Sequence, residues 1–560
     1  MQIRWGLDLG TTNSAVARWN PEQRRPELVE LPGVCRVPEA TSDQALAAPR
    51  MVPSCVHLLP LDLKARLGRL PWVRDRVFLG DEAEIGRPAL SRNESWPTPA
   101  FCPSFKSALS RDPLRTAARR GPEELSAREV ARVFVRELLD EVAQVTGERV
   151  RALALTVPIE AFEGYRAELR AVCAGAGVKE LRFVDEPVAA AIGYGVSLDR
   201  PRELLVLDMG GGTFHVARVR IQPRGAEAGG CEVRFKEGHA VGGNLVDRWL
   251  LESVAGRAGV RIDNETRNED EIIWQRLMLG EARRVKEAVH TADSEGFVFT
   301  APDEIKGLRQ KIGVPANLVV ARADLESVLE ARGLYALLDG ALERAAALGE
   351  VDEVLVVGGS TLLPGVYPRV EARFGRDRVR AWQPFESVAL GAAAYASGEI
   401  GHADFIVHDY ALLTHDRASG APQHTVIVPR GTRFPTAPDL WRRQLVPTCS
   451  MGEPERIFKL VVYELGRSDD GTRFGWDASG TLRPMGASDT APVAVPLNAN
   501  NPALGTLDPP HRPDDRRPRL DVAFGVDGER WLVATITDLQ TGKTLMKSEP
   551  VVRQIGRAHV

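Results

Sequence analysis

One repeated design constrains this chain more than any bulk property: an apolar run ends in an acidic or small residue and then breaks into a Gly-rich turn. It occurs at Trp5-Gly6-Leu7-Asp8-Leu9-Gly10-Thr11-Thr12-Asn13, at Leu204-Leu205-Val206-Leu207-Asp208-Met209-Gly210-Gly211-Gly212-Thr213, and at Val354-Leu355-Val356-Val357-Gly358-Gly359-Ser360. The first two runs continue into a further alternating strand, Ser14 to Arg18 and Phe214 to Val219, so each is a hairpin rather than a strand feeding a helix. A hairpin turn rich in Gly, Thr and Ser directs several backbone N–H groups into one concavity, which suits phosphate oxygens without a positive side chain. Asp8 and Asp208 stand just before their turns, where carboxylates can hold the waters of a phosphate-bound Mg²⁺. One such turn is ordinary turn chemistry. Two, some 200 residues apart, suggest a duplicated fold whose hairpins face each other across a nucleotide.

The rival phosphate-binding designs lack their fingerprints: there is no G-x-x-x-x-G-K-[ST] run, and no G-x-G-x-x-G opens a helix after a strand. With 560 residues, 44% hydrophobic and 26% charged, the chain exceeds one ordinary domain. Its 72 basic and 76 acidic residues leave a formal charge of -4, which gives neither a nucleic-acid footprint nor an acidic tail. The six cysteines, Cys35, Cys55, Cys102, Cys173, Cys231 and Cys449, form no C-x-x-C pair, so they read as reduced thiols. The N-terminus enters a strand pattern at once, and no apolar stretch reaches the roughly 18 residues of a membrane span. The expectation is a cytoplasmic protein that binds neither nucleic acid nor membrane.

Helical periodicity runs through the first 400 residues. It is clearest after Ser126, where Ser126 and Glu129 make a capping box and Val130, Val133, Phe134, Leu138 and Val142 fall on one face. Further helices are expected at Pro187 to Ser197, Leu245 to Ala255, Asp270 to Val289 and Asp324 to Leu348. Beyond Ala394 strands take over, at Thr425 to Val428, Arg456 to Tyr463, Ala494 to Leu497, Arg519 to Phe524, Trp531 to Asp538 and Lys543 to Lys547, separated by turns such as Asp469-Asp470-Gly471. The expected division is a mixed α/β domain over 1–402, a linker over 403–410 and an all-β domain over 411–553.

The first hairpin, Gly6 to Ser14, resembles the first phosphate loop of the seventy-kilodalton heat-shock (DnaK-type) chaperones nearly letter for letter. Further similarities follow in order: Leu155-Thr156-Val157-Pro158 with Arg166, Val184-Asp185-Glu186-Pro187 to Ala191, Asp208 to Phe214, Gly242-Gly243 with Asp247, Val357 to Thr361, and Val388 to Ala393. The resemblance implies an α/β actin-like ATPase fold, duplicated and two-lobed, followed by an all-β sandwich peptide-binding domain. It implies ATP/ADP, Mg²⁺ and K⁺ as ligands, and weak hydrolysis of ATP to ADP and phosphate. Gly10, Thr11, Thr12, Asn13, Gly210, Gly211, Gly212, Thr213, Gly242, Gly243, Lys286, Gly358, Gly359 and Ser360 would hold the nucleotide. Asp8 and Asp208 would hold hydrated magnesium, Glu186 would position the attacking water, and Lys106 would orient that water and stabilise the transferring phosphoryl group. Pro158 and Arg166 resemble the pair that couples nucleotide state to the second domain. Implied partners are unfolded or hydrophobic polypeptide segments, a J-domain co-chaperone and a nucleotide exchange factor.

Departures from the family pattern concentrate at two places. His215 stands where the family has an Asp that supports the cation network, which implies slowed turnover. On the adenine side Arg283, Val289 and His290 replace most of a Glu-x-x-Lys-x-x-Leu-Ser helix motif, of which Lys286 remains; Leu362 replaces a base-stacking Arg, and Phe385 a nearby Asp. In the β region, Val426 to Thr436, Val461 to Glu464 and Leu520 to Gly542 resemble the peptide-binding sandwich, with Phe458 near its pocket or in its core. The resemblance places a helical lid after this sandwich in the family, but the expectation here is a sandwich without the lid, and Gln554 to Val560 reads as a non-native tail. Three other classes fit parts of the pattern: a filament-forming actin homologue, which the β region disfavours; a sugar kinase, for which no catalytic Asp stands out; and a catalytically silent scaffold.

Overall fold

A computed structural model describes residues 4–37, 50–60, 82–94, 98–222, 229–263, 268–299, 316–381, 383–415, 422–447, 449, 453–466, 473–476, 482–485, 493–499 and 501–552. The chain divides into two compact units. The first comprises Met1–Pro158, Val172–Gly401 and Phe474–Pro484; the second comprises Ile159–Ala171, His402–Arg473 and Met485–Val560.

Within the first unit, both Gly-rich runs form the expected hairpins. Trp5–Leu9 pairs antiparallel with Asn13–Asn20, and parallel with Ala152–Val157, which is itself parallel to Glu180–Asp185. The second hairpin repeats this arrangement: Arg202–Met209 pairs antiparallel with Phe214–Gln222 and parallel with Glu353–Val357, which is parallel to Val379–Arg380. The parallel strands are apolar almost throughout because both their faces are covered; Leu204, Leu205, Val206 and Leu207 are fully buried.

Small residues set how closely the covering helices approach. A Cβ on Gly391 would lie 1.7 Å from the Ala189 carbonyl oxygen, and one on Gly6 would lie 2.2 Å from the Ala393 nitrogen. The alanine-rich helices Glu186–Gly195 and Ser387–Ala396 therefore pack against each other and the first sheet at near-backbone contact. The helix Ala127–Thr146 begins on its capping box, with Ser126 Oγ accepting from the Glu129 N–H and Glu129 Oε2 accepting from the Ser126 N–H, and ends at Gly147 with φ of +73°. All five residues assigned to its apolar face are buried.

The helices Gly243–Arg257 and Glu269–Ala288 share a second cluster with Phe297, Phe299, Leu337 and Leu338. The single helix expected over Asp324 to Leu348 is two, Arg322–Ala331 and Leu334–Ala346. Gly333 lies between them with φ of +81°, a left-handed conformation that ends a helix and that Gly adopts without a Cβ clash.

The second unit is β-rich. One antiparallel sheet runs Pro422–Val428, Asp409–His415, Val462–Gly466, Val493–Pro496, and another runs Trp441–Leu445, Leu520–Val526, Leu532–Asp538, Thr544–Pro550. One hydrophobic cluster takes Tyr410, Leu412, Val428 and Val462 from the first sheet and Val522, Phe524, Ala534 and Ile536 from the second, with Phe458 buried among them. The strand expected over Arg456 to Tyr463 is split into Glu455–Lys459 and Val462–Gly466, in different sheets. Asn498 holds the break: its side-chain oxygen accepts from the Val462 N–H at 3.1 Å, and its nitrogen donates to the Leu460 carbonyl at 2.8 Å. Asp404 and Phe405 pair with Phe434 and Arg433. The turn Asp469-Asp470-Gly471 and the segment Gln554 to Val560 lie outside the described residues.

Candidate nucleotide and metal site

The two hairpin turns and the Gly358–Ser360 turn open on one cleft of about 380 Å³. Close approach requires the glycines. A Cβ on Gly211 would lie 2.0 Å from Thr12 Oγ1, and one on Gly212 2.6 Å from Thr11 Oγ1. Gly358 has φ of +85°, and a Cβ there would meet the Met209 carbonyl at 2.4 Å. The turns are also tied to one another: Ser360 Oγ donates to the Gly210 carbonyl at 2.8 Å, and the Gly243 N–H donates to the same oxygen at 3.0 Å. Of the residues singled out from the sequence, Gly10, Thr11, Thr12, Asn13, Gly210, Gly211, Gly212, Thr213, Gly243, Lys286, Gly358, Gly359 and Ser360 line this cleft. Gly242 does not; it caps the helix Gly243–Arg257 behind the wall, where its missing side chain leaves room for the Gly211 backbone.

Among the described residues, buried Asp8, Lys106, Glu186 and Asp208 form the cleft's floor, with His215 buried beside Glu186 and Asp208. Lys106, at the start of a short helix, donates from Nζ to Glu186 Oε1 at 2.7 Å. Thr156 Oγ1 donates to Asp8 Oδ1 at 2.8 Å. His215 is the direct cross-strand neighbour of Asp208, and its Nδ1 lies 3.5 Å from Glu186 Oε2 and 3.9 Å from Asp208 Oδ2.

Asp8 and Asp208, crowded out of water, resist ionisation. Burial pushes the Asp8 carboxyl up to about 7; repulsion from Glu186 adds to this, and Lys106 and Thr156 oppose it. Burial also raises Asp208, with His215 and Lys106 pulling it down. Such a floor favours a bound cation, while the Gly-rich walls present backbone to an anion, so the pair suits a metal-complexed polyphosphate. Among the described residues, Glu186, Asp208 and His215 offer ligand atoms within 4.8 Å of one another. Asp8 is outside that group, a position compatible with contact through water.

The cleft is also lined by Arg36, Arg283, Lys286, His290, Leu362 and Phe385. A Cβ on Gly359 would lie 2.8 Å from the Phe385 ring, so the ring covers that turn. Lys286 pairs with buried Asp247 at 2.7 Å, and Arg283 bridges Asp247 and Asn244 at 3.3 and 3.1 Å. Sequence reasoning missed Arg36, whose Nε donates to Asn13 Oδ1 at 2.8 Å, because nothing near it in sequence marks a site. It also gave Thr156 no role, although a hydroxyl in an otherwise apolar buried strand is a legible signal.

The expected coupling residue Arg166 belongs to the second unit. It is no surface arginine but fully buried, donating to the carbonyls of Glu529 at 3.2 Å and Arg530 at 2.7 Å and lying over the Trp531 ring.

A family model described as Hsp70 protein matches residues 104–441. The chain is 26% identical to the chaperone protein DnaK of Ureaplasma urealyticum serovar 10 over 556 residues, which span 97% of this chain and 78% of that protein. It is 30% identical to the DnaK of Thermus thermophilus over 327 residues, 56% of this chain and 50% of that protein. It is 29% identical to the HscA homolog of Acidithiobacillus ferrooxidans over 335 residues, 58% of this chain and 49% of that protein.

Proposed function

Because this chain belongs to the Hsp70 protein family, we propose that it is an ATP-dependent molecular chaperone that binds and releases exposed hydrophobic polypeptide segments under nucleotide control. The observation that carries this reading is the convergence of two equivalent Gly-turn hairpins on one cleft, floored by Asp8, Lys106, Glu186 and Asp208. The matching strand pattern behind the hairpins supports an actin-like duplicated lobe. The single core shared by the two sheets of the second unit supports a peptide-binding sandwich, which would hold an extended segment through main-chain hydrogen bonds and apolar pockets.

In this proposal ATP is the substrate. The glycine turns and the hydroxyls of Thr11, Thr12, Thr213 and Ser360 take the phosphates. Magnesium, when bound, neutralises phosphate oxygens and draws charge from the leaving group. The excess carboxylates fit that ion: Asp8 and Asp208 would hold it through water, with K⁺ as a further ligand of the same acidic floor. Lys106 fixes the Glu186 carboxylate, which leaves Glu186 Oε2 to orient a water and the ammonium to stabilise charge on the transferring group. Arg36, Arg283 and Phe385 offer planar faces to a base in place of the missing arginine. The strand that holds Asp8 through Thr156 runs directly into Ile159–Ala171, whose Arg166 is anchored in the β-rich unit, so the backbone itself links the floor to that unit. Residues 403–410 would serve as the linker. A cytoplasmic setting, a J-domain co-chaperone and a nucleotide exchange factor belong to the same proposal.

ATP affinity and single-turnover hydrolysis in wild type, Lys106→Ala and Asp208→Asn test it. The expected result is micromolar or tighter binding in wild type, with hydrolysis lost in Lys106→Ala and binding weakened in Asp208→Asn. No nucleotide binding defeats the proposal. Binding without hydrolysis in wild type points to a silent scaffold, and ATP-dependent polymerisation to an actin-like filament.

A further inference from the structure

We propose that Glu186, Asp208 and His215 bind a borderline divalent ion, of the Zn²⁺ or Co²⁺ class, directly through their side chains and before any nucleotide arrives. The sheet register places His215 opposite Asp208 on the paired strand, and on its other side opposite Gly238. Glu186 enters from the first turn of its own helix. All three side chains are buried, and their ligand atoms lie within 4.8 Å of one another.

The spacing suits direct ligation. Bonds of about 2.1 Å put every pair of donors of a tetrahedral ion about 3.4 Å apart. The separation from His215 Nδ1 to Glu186, 3.5 Å, matches that value, and the 3.9 Å to Asp208 would have to close by about 0.5 Å on binding. Lys106 already holds Glu186 Oε1, which turns Oε2 toward the imidazole, an orienting contact of the kind that metal ligands commonly have. Glu186 and Asp208 also face the cleft, so the ion's remaining positions would open toward water or phosphate.

Charge and donor type choose the ion. Asp8, Glu186 and Asp208 outnumber the one ammonium beside them, that of Lys106, and a divalent ion competes with protons for such buried carboxylates. Magnesium prefers an oxygen shell and dehydrates reluctantly, whereas imidazole nitrogen raises affinity for zinc and cobalt. His215 thus adds a nitrogen donor to a carboxylate floor that suits hydrated Mg²⁺ once nucleotide is bound, and in the absence of nucleotide the three side chains make a mixed nitrogen and oxygen site. What the ion serves rests on the nucleotide-site reading, but its binding can be measured without nucleotide.

The test uses the full chain, stripped with chelator and titrated with Co²⁺ and Zn²⁺ in the absence of nucleotide. One equivalent of Co²⁺ with visible bands of nitrogen and oxygen character is expected. Affinity should fall about 100-fold in His215→Ala, and His215→Asp should shift preference from Zn²⁺ toward Mg²⁺. Should His215→Ala fail to fold, Mn²⁺ bound to wild type still answers, since pulsed electron paramagnetic resonance detects modulation from a directly bound imidazole nitrogen. Absence of that modulation, Zn²⁺ affinity unchanged in a folded His215→Ala, or Co²⁺ bands dominated by thiolate charge transfer would each overturn the site. Parallel titration with ADP in Mg²⁺ separates the two claims: ion binding without ADP binding sinks only the nucleotide reading, and the converse sinks only this one.

Discussion

Two buried acidic clusters, one in each unit, show how the same desolvation can be relieved in different ways. At the cleft floor, Asp8, Glu186 and Asp208 meet one ammonium and one imidazole among the described residues and open toward a cavity. In the β-rich unit, Glu163 and Glu464 are sealed: Glu163 Oε1 accepts from the Tyr410 hydroxyl at 2.6 Å and the Leu532 N–H at 2.7 Å, and Glu464 accepts from the Glu163 N–H at 2.7 Å and pairs with His408 at 2.8 Å. Each cluster holds a carboxyl pushed up to about 7, chiefly by burial. A sealed cluster can be neutralised only by a proton or by a cation the fold itself buries there, as Arg166 lies 3.6 Å from Glu163, whereas one that opens on a cleft can be neutralised by a metal ion. That difference separates a fastening from a site.

The sharpest way to break the comparison is to remove a partner from the sealed cluster. Arg166→Ala strips donors from two buried carbonyls and the guanidinium beside Glu163, and should destabilise the β-rich unit by about 3–5 kcal/mol, leaving ADP affinity unchanged while the first unit stays folded. Denaturant unfolding followed by tryptophan fluorescence checks this, and a loss below about 1 kcal/mol would make the cluster incidental. Next, Lys106→Ala should lower turnover about 10²- to 10³-fold, the scale of removing one electrostatic stabiliser, with little change in the stability of the β-rich unit. Rapid-quench hydrolysis reads the first quantity and denaturant unfolding the second.

The third test is pH. Glu163 ordinarily titrates near 4.5, and in the folded protein burial, with repulsion from Glu464, lifts it to about 7 against the pull of Arg166 and Tyr410. Between those values the folded state binds the proton more tightly than the unfolded one. The associated stability is therefore full below about 4.5 and declines as pH rises through about 7, by up to about 3 kcal/mol. Denaturation midpoints should fall over that window, and Glu163→Gln should flatten the slope. The smallest effect expected is at the adenine end, where Leu362→Arg should restore a stacking cation worth about 0.5–2 kcal/mol, tightening ADP binding by up to roughly thirtyfold; titration calorimetry measures it.

Much of this was legible in sequence because it depends on local rules. The hairpins follow from alternating strands around Gly turns, and the Ser126 capping box announces its helix. What was not legible depends on neighbours distant in sequence. Gly333 splits a helix whose apolar period continues across it, and Asn498 breaks a strand from 36 positions away. Lys106 was named through the family resemblance, but its pairing with Glu186, 80 positions on, is visible only in the structure, and Arg36 gained meaning only from Asn13. The full burial of Arg166 was not legible, because an arginine's place on a helix does not reveal what covers it. The His215 substitution was visible, but its chemistry was not, since the sheet register and the Glu186 rotamer decide what faces its ring.

The central claim is that the phosphate cleft governs peptide binding, and ATP-triggered release of a fluorescent hydrophobic peptide from the full chain tests it most directly. Stopped-flow dissociation should accelerate on adding ATP to wild type and stay slow in Gly211→Val, whose side chain would occupy the space of Thr12 Oγ1. Release at the same rate with and without ATP in wild type would contradict the account.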